Sequence, residues 1–145
     1  MPRHPDFPLP DTEAEATAEL WAGAARGELV LPRCDACGSW VWYPRPACPA
    51  CGATAISWTA VSGRGRLFSW AVVRHAFLPQ FADLVPYVPA LVTLDDGPGV
   101  RFVTRLVDCE PEELVADGPV EVVFRPLAFP GIERQVVAPL FTPAR

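Results

Sequence analysis

The chain has 145 residues, half of them apolar, which allows one domain or two small ones with a hydrophobic core. Its net charge is −5 and all 12 cationic side chains are arginines, which disfavours broad, counterion-driven nucleic-acid binding but leaves a local basic patch open. No apolar run approaches the ~20 residues of a membrane span, and no apolar segment follows the N-terminal charge, so we expect a cytoplasmic protein without a secretory signal.

Residues 1–28 are predicted to form an extended, proline-rich segment followed by one docking helix. Asp11 has the side chain of an N-cap, and the alanine- and glutamate-rich stretch Thr12–Arg26 follows it. Gly27 is a typical C-terminal stop. Because a helix of this length is marginal alone in water, we expect its apolar face around Leu20 to pack on the rest of the chain.

Two matching cysteine pairs follow, Cys34 with Cys37 and Cys48 with Cys51. In each pair two residues separate the cysteines and a glycine follows the second, a spacing that lets two thiolates from one tight turn bind a single ion. Together they predict a tetrahedral zinc site, closed to water and substrate, that braces the structure. Thiolates alone do not exclude iron, so a rubredoxin-like electron carrier is an alternative.

Short apolar segments surround the cysteine pairs and predict a small ribbon of two or three strands over residues 29–61. These segments are Leu29–Leu31, Trp40–Tyr43 and Ile56–Val61. The proline after Tyr43 is expected to end the middle strand. Residues 29–61 are therefore predicted to be a zinc ribbon.

Residues 62–145 are predicted to form a second β unit with a C-terminal extension. Gly63–Arg66 indicates a turn or bulge, and Pro111–Leu114 one helical turn with proline at its first position. Five strands are predicted, at Leu67–Arg74, Val88–Leu94, Val100–Val107, Val120–Phe124 and Arg134–Ala138. A small helical element before the fourth of five short strands fits a closed OB-fold barrel, so the fold class is mainly β. Residues 126–145 are expected to clamp the barrel or to reach a partner.

The order of these motifs resembles that of a known family. The cysteine pairs stand between two characteristic phrases, and further ones follow: Gly27–Cys34, Trp58–Gly65, Pro86–Asp95 and Gly118–Val122. On these residues the chain is similar, from about Leu9 to Phe141, to the DUF35 family of OB-fold, acyl-CoA-associated proteins with a rubredoxin-like zinc ribbon.

The resemblance implies a partner role. Family members assemble with thiolases or thiolase-like lipid-transfer enzymes, among them steroid side-chain aldolases in which the thiolase-fold subunit performs a retro-aldol cleavage of a CoA thioester. The DUF35 subunit stabilises that enzyme and helps to shape its CoA channel. We therefore expect a non-catalytic accessory subunit, with structural Zn²⁺, in a hetero-oligomer where acyl-CoA is shared with the partner.

Several side chains remain as candidates for direct contacts. Arg64 and Arg66 flank Gly65 and match phosphate geometry, so they are candidate contacts to CoA phosphates, with solvated turn residues as the simpler alternative. The segment from His75 to Tyr87 is long for a compact domain and is a candidate partner interface. Its apolar residues are Phe77, Leu78, Phe81, Leu84 and Tyr87.

Two further residues, Cys109 and His75, are candidates for catalysis, but their sequence contexts favour a role without catalysis. Cys109 lies between Asp108 and Glu110, whose charges disfavour the thiolate. His75 is an isolated histidine without a fixed partner, so no catalytic residue is assigned to this chain. A single-stranded nucleic-acid-binding module is the remaining functional alternative, because OB barrels and zinc ribbons both perform that role.

Overall fold

The structure is a computed structural model that describes residues 6–145, so the extension predicted for residues 1–5 lies outside the described residues. Within that range the chain is mainly β with one N-terminal helix, as predicted. The elements are α1 (Ala18–Ala25), β1 (Leu29–Cys34), β2 (Ile56–Val61), β3 (Arg64–Trp70), the 3-10 turn Pro79–Phe81, β4 (Val88–Leu94), β5 (Arg101–Leu106), the 3-10 turn Pro111–Glu113, β6 (Pro119–Leu127) and β7 (Val136–Pro143).

Helix α1 is shorter than predicted and begins at Ala18 rather than Thr12. The assignment of Asp11 as its N-cap is wrong. The Asp11 carboxylate accepts a hydrogen bond from the Glu13 N–H at 3.0 Å, so it caps a local turn before the helix. Gly27 ends the helix as predicted, with a φ of 80° that L-residues seldom adopt.

The apolar face of α1 packs on β1 and β7, with Leu20 buried, which confirms that the helix docks on the rest of the chain. The prediction of an extended segment is wrong for residues 6–9. The chain forms a turn there, closed by a hydrogen bond from the Leu9 N–H to the Asp6 carbonyl at 2.8 Å. This turn buries Leu9 and so anchors the start of the described chain.

Strands β1 and β2 form the antiparallel ribbon, in register from Leu29 opposite Val61 to Cys34 opposite Ile56. The strand predicted at residues 40–43 is wrong, because this segment makes a single bridge to β1, at Trp40. The Val41 N–H donates to the Pro32 carbonyl at 2.9 Å, after which the chain leaves the sheet. It does so because the Trp42 ring stacks on a barrel phenylalanine instead of continuing along the ribbon.

The remaining strands close into a barrel in the order β3-β4-β5-β7-β6. This is the strand order of the predicted OB-fold, and β6 closes the barrel by pairing with β3. Strand β7 pairs with β6 along its whole length but with β5 at one position, where Leu106 lies opposite Phe141. Strands β5 and β7 therefore have one described register pair, which lies near the C-terminal end of both strands. We call the junction between these two strands the seam.

Several predicted strand boundaries are wrong: the first barrel strand ends at Trp70 instead of Arg74, and the fourth ends at Leu127 instead of Phe124. The first barrel strand begins at Arg64, inside the predicted turn, because Arg64 pairs with Glu121 of β6 where the barrel closes. The last strand runs from Val136 to Pro143 instead of from Arg134 to Ala138, so half of the predicted C-terminal extension is barrel wall. Prolines interrupt ladders, yet Pro139 is tolerated because its backbone points away from β6: its carbonyl accepts a hydrogen bond from Thr104 Oγ1 at 3.1 Å.

One hydrophobic core extends through helix, ribbon and barrel. It includes Leu20 of α1, Leu29 and Leu31 of β1, and the barrel interior around Phe102 and Phe141. A second, smaller cluster consists of Cys34, Val41 and Cys48 with flanking apolar residues. The main core therefore crosses the boundary predicted between residues 61 and 62, and the division into segments 1–28, 29–61 and 62–145 remains a prediction about folding units.

Candidate metal centre and adjacent surfaces

The two cysteine pairs form two equivalent turns. In the first the Gly38 N–H donates to the Cys34 carbonyl at 2.9 Å, and in the second the Gly52 N–H donates to the Cys48 carbonyl at 2.8 Å. Both glycines have φ near 80°, at 76° and 79° respectively. Such angles strain L-residues that carry a Cβ, so the glycine after each pair lets the turn close and direct both thiols to one side.

The four thiols lie close enough together to hold one ion. Cys34, Cys37, Cys48 and Cys51 place their sulfur atoms within 4.8 Å of one another. Across the pairs, Cys34 Sγ lies 3.6 Å from Cys51 Sγ, and Cys37 Sγ lies 3.6 Å from Cys48 Sγ. A tetrahedral zinc with bonds of about 2.3 Å to sulfur requires S···S separations of about 3.8 Å, whereas a disulfide requires about 2.05 Å. The donor set therefore fits a four-thiolate metal site.

Proton binding by these thiols is uneven. A hydrogen bond to the Ser39 side chain, together with one to its backbone, lowers the pKa of Cys37 to about 6. The pKa of Cys51 is raised to about 12, since the neighbouring thiols of Cys34 and Cys37 outweigh the hydrogen bond from the Ala53 backbone that lowers it. Negative charges on neighbouring sulfur atoms repel one another. A bound divalent cation would compensate this repulsion and so stabilise all four cysteines as thiolates.

The segment predicted as a partner interface is a closed excursion from the barrel. Val73 and Tyr87 exchange backbone hydrogen bonds at its base, at 2.8 and 3.0 Å. Phe77 stands at its tip with 88% of its surface exposed, which is unusual for an unpartnered phenylalanine. Its edge contacts the His75 ring at a centroid distance of 4.9 Å. Phe77 is therefore the most accessible apolar side chain of the predicted interface.

The other predicted interface residues are partly buried. Leu78 precedes the 3-10 turn at Pro79–Phe81, and Phe81 packs edge-on against Phe129 at 5.7 Å between ring centroids. Leu84 lies in the same layer beside Phe81. The five side chains thus divide between an exposed tip and an apolar wall that faces the barrel.

The predicted phosphate contacts lie on the outer face of the barrel. Arg64 is exposed opposite Glu121, and Arg66 donates to the Asp117 carbonyl at 3.3 Å. Sequence analysis missed a third arginine on this face, Arg101 of β5, whose guanidinium carbon lies 4.1 Å from the centroid of the Phe68 ring. Contact with phosphate remains a prediction for Arg64 and Arg66.

Comparison with known proteins identifies the family to which this chain belongs. The model of a ChsH2 rubredoxin-like zinc ribbon domain matches residues 21–57, and that of a ChsH2 C-terminal OB-fold domain matches residues 58–125. A DUF35 domain-containing scaffold protein of Methanocaldococcus jannaschii is 36% identical over 67% of this chain and 67% of its own length. The chain belongs to the DUF35 family.

A solved structure and a longer relative resemble this DUF35 chain over most of its length. A chain from the Ltp2-ChsH2(DUF35) aldolase matches 94% of it, with all of that chain covered, at a TM-score of 0.79 and 30% identity. The 3-oxo-4,17-pregnadiene-20-carboxyl-CoA hydratase alpha subunit of Mycobacterium tuberculosis is 34% identical over 83% of it. The chain spans 37% of the length of the curated hydratase subunits that it matches.

An apolar cleft of this DUF35 chain was not foreseen from the sequence. It has a volume of about 450 Å³ and lies over the seam between β5 and β7, so we call it the seam cleft. Its walls come from α1, residues 42–44, residues 81–89, the two seam strands and residues 127–129. Because these segments are far apart in the sequence, only the aromatic content of the 75–87 segment signalled it.

The remaining candidate residues of the DUF35 chain are Cys109 and His75. Burial, and then the charges of Glu113, Asp108 and Glu110, raise the pKa of the Cys109 thiol, opposed by Arg145. Within residues 6–145 no hydrogen bond joins Cys109 to His75. No helix of that range has the length and apolar character to cross a membrane.

Proposed function

We propose that this DUF35 chain is a non-catalytic accessory subunit that binds and stabilises a thiolase-like enzyme acting on acyl-CoA thioesters. The supporting observation is the similarity, over 94% of the chain, to a chain of the Ltp2-ChsH2(DUF35) aldolase. A relative whose name specifies a steroid CoA thioester hydratase favours, as the specific case, a complex that performs retro-aldol cleavage of a steroid side chain. The reacting groups belong to the partner.

In this proposal the four cysteines hold a structural zinc ion. When bound, zinc links the two cysteine turns and leaves no position for water or substrate. The ribbon then fixes β1, and β1 in turn supports α1 and the barrel through Leu29 and Leu31. The metal thereby holds the interface-bearing surfaces in one arrangement.

Assembly with the enzyme is tested by co-expressing the chain with a candidate thiolase-like enzyme from the same organism. We expect one complex on size exclusion and a higher aldolase activity than the enzyme shows alone. Phe77→Ala should weaken the complex by about 2 kcal/mol, roughly 30-fold in Kd, because an exposed aromatic at an interface is a typical hot spot.

The matched control is Val115→Ala, which truncates another exposed apolar side chain outside the predicted interface. It should leave both complex formation and stability unchanged. Separate elution of the two proteins, with full activity of the enzyme alone, would reject the accessory role.

A second candidate, single-stranded nucleic-acid binding, is favoured by one observation. Phe68 is 47% exposed on the face of β3, β4 and β5, with Arg101 over its ring and Arg66 on the same face. Stacking on such a ring is worth about 1–3 kcal/mol per base. The accessory role predicts no change in the anisotropy of labelled oligothymidine at low ionic strength, whereas binding that Phe68→Ala abolishes would support the alternative.

A further inference from the structure

The seam cleft lies on the closed barrel where strands β5 and β7 meet. Strands β5 and β7 share one described register pair, Leu106 and Phe141, and nearer the start of both strands Thr104 Oγ1 donates to the Pro139 carbonyl at 3.1 Å. Thr104 of β5 and Leu140 of β7 both line the cleft. The volume of about 450 Å³ lies within the roughly 300–1,000 Å³ of pockets that take small molecules.

The lining of the seam cleft is almost entirely apolar. Leu20 and Trp21 of α1 line it, together with two aromatic pairs: Trp42 stacked on Phe102, and Phe81 in edge-to-face contact with Phe129. The six segments that enclose this concave surface expose aromatic rings to water, and a hydrocarbon ligand would remove the free-energy cost of that exposure. Shape and lining therefore favour a ligand with an extended apolar body.

One charged side chain breaks this apolar surface. Arg105 of β5 lines the cleft and is partly buried, and burial lowers the pKa of its guanidinium, with Tyr87 acting in the opposite direction. Within residues 6–145 no carboxylate lies within 4.0 Å of Arg105, whereas Arg125, for example, pairs with Asp108. A partly buried cation that pairs with no carboxylate leaves a position in the cleft where an anion would find a partner.

A second donor in the lining also lacks a partner. The indole Nε1 of Trp42 is buried and makes no hydrogen bond within the described chain. By contrast the Thr104 hydroxyl is satisfied by the Pro139 carbonyl. The cleft thus combines an apolar body with unsatisfied donors, of which Arg105 has the planar fork that matches a carboxylate.

We propose that the seam cleft binds an amphipathic carboxylic acid, with its hydrocarbon chain against the aromatic lining and its carboxylate on Arg105. A single guanidinium in an apolar wall suits one carboxylate better than a polyphosphate, which requires several donors. This goes beyond the accessory function and does not rest on it, since the isolated chain carries every residue involved.

The test compares decanoate with 1-decanol, which has the same chain length without the charge, on the isolated full-length protein. Binding is followed by the fluorescence of Trp21 and Trp42, at concentrations below the micelle range. We expect saturable binding of decanoate, roughly tenfold or more tighter than that of decanol, because charge-assisted hydrogen bonds are the stronger ones. Arg105→Gln should remove this preference and leave decanol binding unchanged.

Arg101→Gln is the matched control, because Arg101 is on the same strand and the same face but lies over Phe68. It should preserve the preference for decanoate. Equal binding of the two probes, an unchanged preference in Arg105→Gln, or no saturable binding would each overturn the proposal. If decanoate fails to bind while Arg105→Gln weakens assembly with the enzyme, the cleft is a protein interface, and the accessory function stands without the ligand site.

Discussion

Replacing Cys34 with serine is expected to abolish metal binding and to unfold the ribbon. Cys34 is 2% exposed at the end of β1, with its sulfur 3.6 Å from that of Cys51. A serine hydroxyl stays protonated near neutral pH and is a poor ligand for a site built from thiolates. Structural zinc contributes about 10–16 kcal/mol in small zinc domains, as much as the roughly 5–15 kcal/mol stability of a whole domain.

Metal content by mass spectrometry and thermal unfolding by circular dichroism measure this effect. Cys109→Ser is the matched control and should keep one zinc per chain, because Cys109 lies outside the four-cysteine cluster. Unchanged zinc content in both Cys34→Ser and Cys51→Ser would refute the ligand assignment. A coloured wild-type protein that contains iron would instead revive the electron-carrier hypothesis.

Replacing Phe141 with alanine is expected to cost about 3–5 kcal/mol of unfolding free energy. Phe141 is 0% exposed, and its ring packs against Phe102 at 6.0 Å between centroids. It also occupies the one described register pair between β7 and β5, so the cavity would form at the junction of these two strands. Little relaxation is available there, because the β6 ladder holds β7 from the other side.

Urea denaturation of wild type and variant measures this loss through the midpoint and slope of the transition. Phe77→Ala is the control: it removes the same side chain from a site that is 88% exposed, and should change stability by less than about 0.5 kcal/mol. Similar losses in the two variants would show that Phe141 does not hold the barrel wall.

Local patterns predicted the cysteine turns and the barrel order well. A Cys-x-x-Cys-Gly turn is determined by its own five residues, so the convergence of the four thiols could be expected from spacing. Five strands in sequence were also visible, because alternation in β4 and β5 directly reflects their inward and outward faces.

The errors arose where distant contacts override local preference. The Trp40–Tyr43 segment has the composition of a strand, but Trp42 gains more by stacking on Phe102 than by extending the ribbon. The last strand continues past its predicted end at Ala138, and β7 tolerates Pro139 because the carbonyl of this residue faces β5, where it accepts a hydrogen bond from Thr104 Oγ1. The seam cleft could not be predicted from the sequence, since Arg105 becomes its one cationic side chain only after six distant segments meet.

The shared core of β1 has a consequence for how this architecture is inherited. Leu29 and Leu31 pack with the barrel while Cys34, at the other end of the same strand, belongs to the metal cluster. A recombination event between the ribbon and the barrel would separate partners that were selected to fit each other, and would expose apolar surface on both pieces. The helix, the ribbon and the barrel are therefore expected to be inherited together as one unit. Fusion to other domains is expected at the ends of this unit.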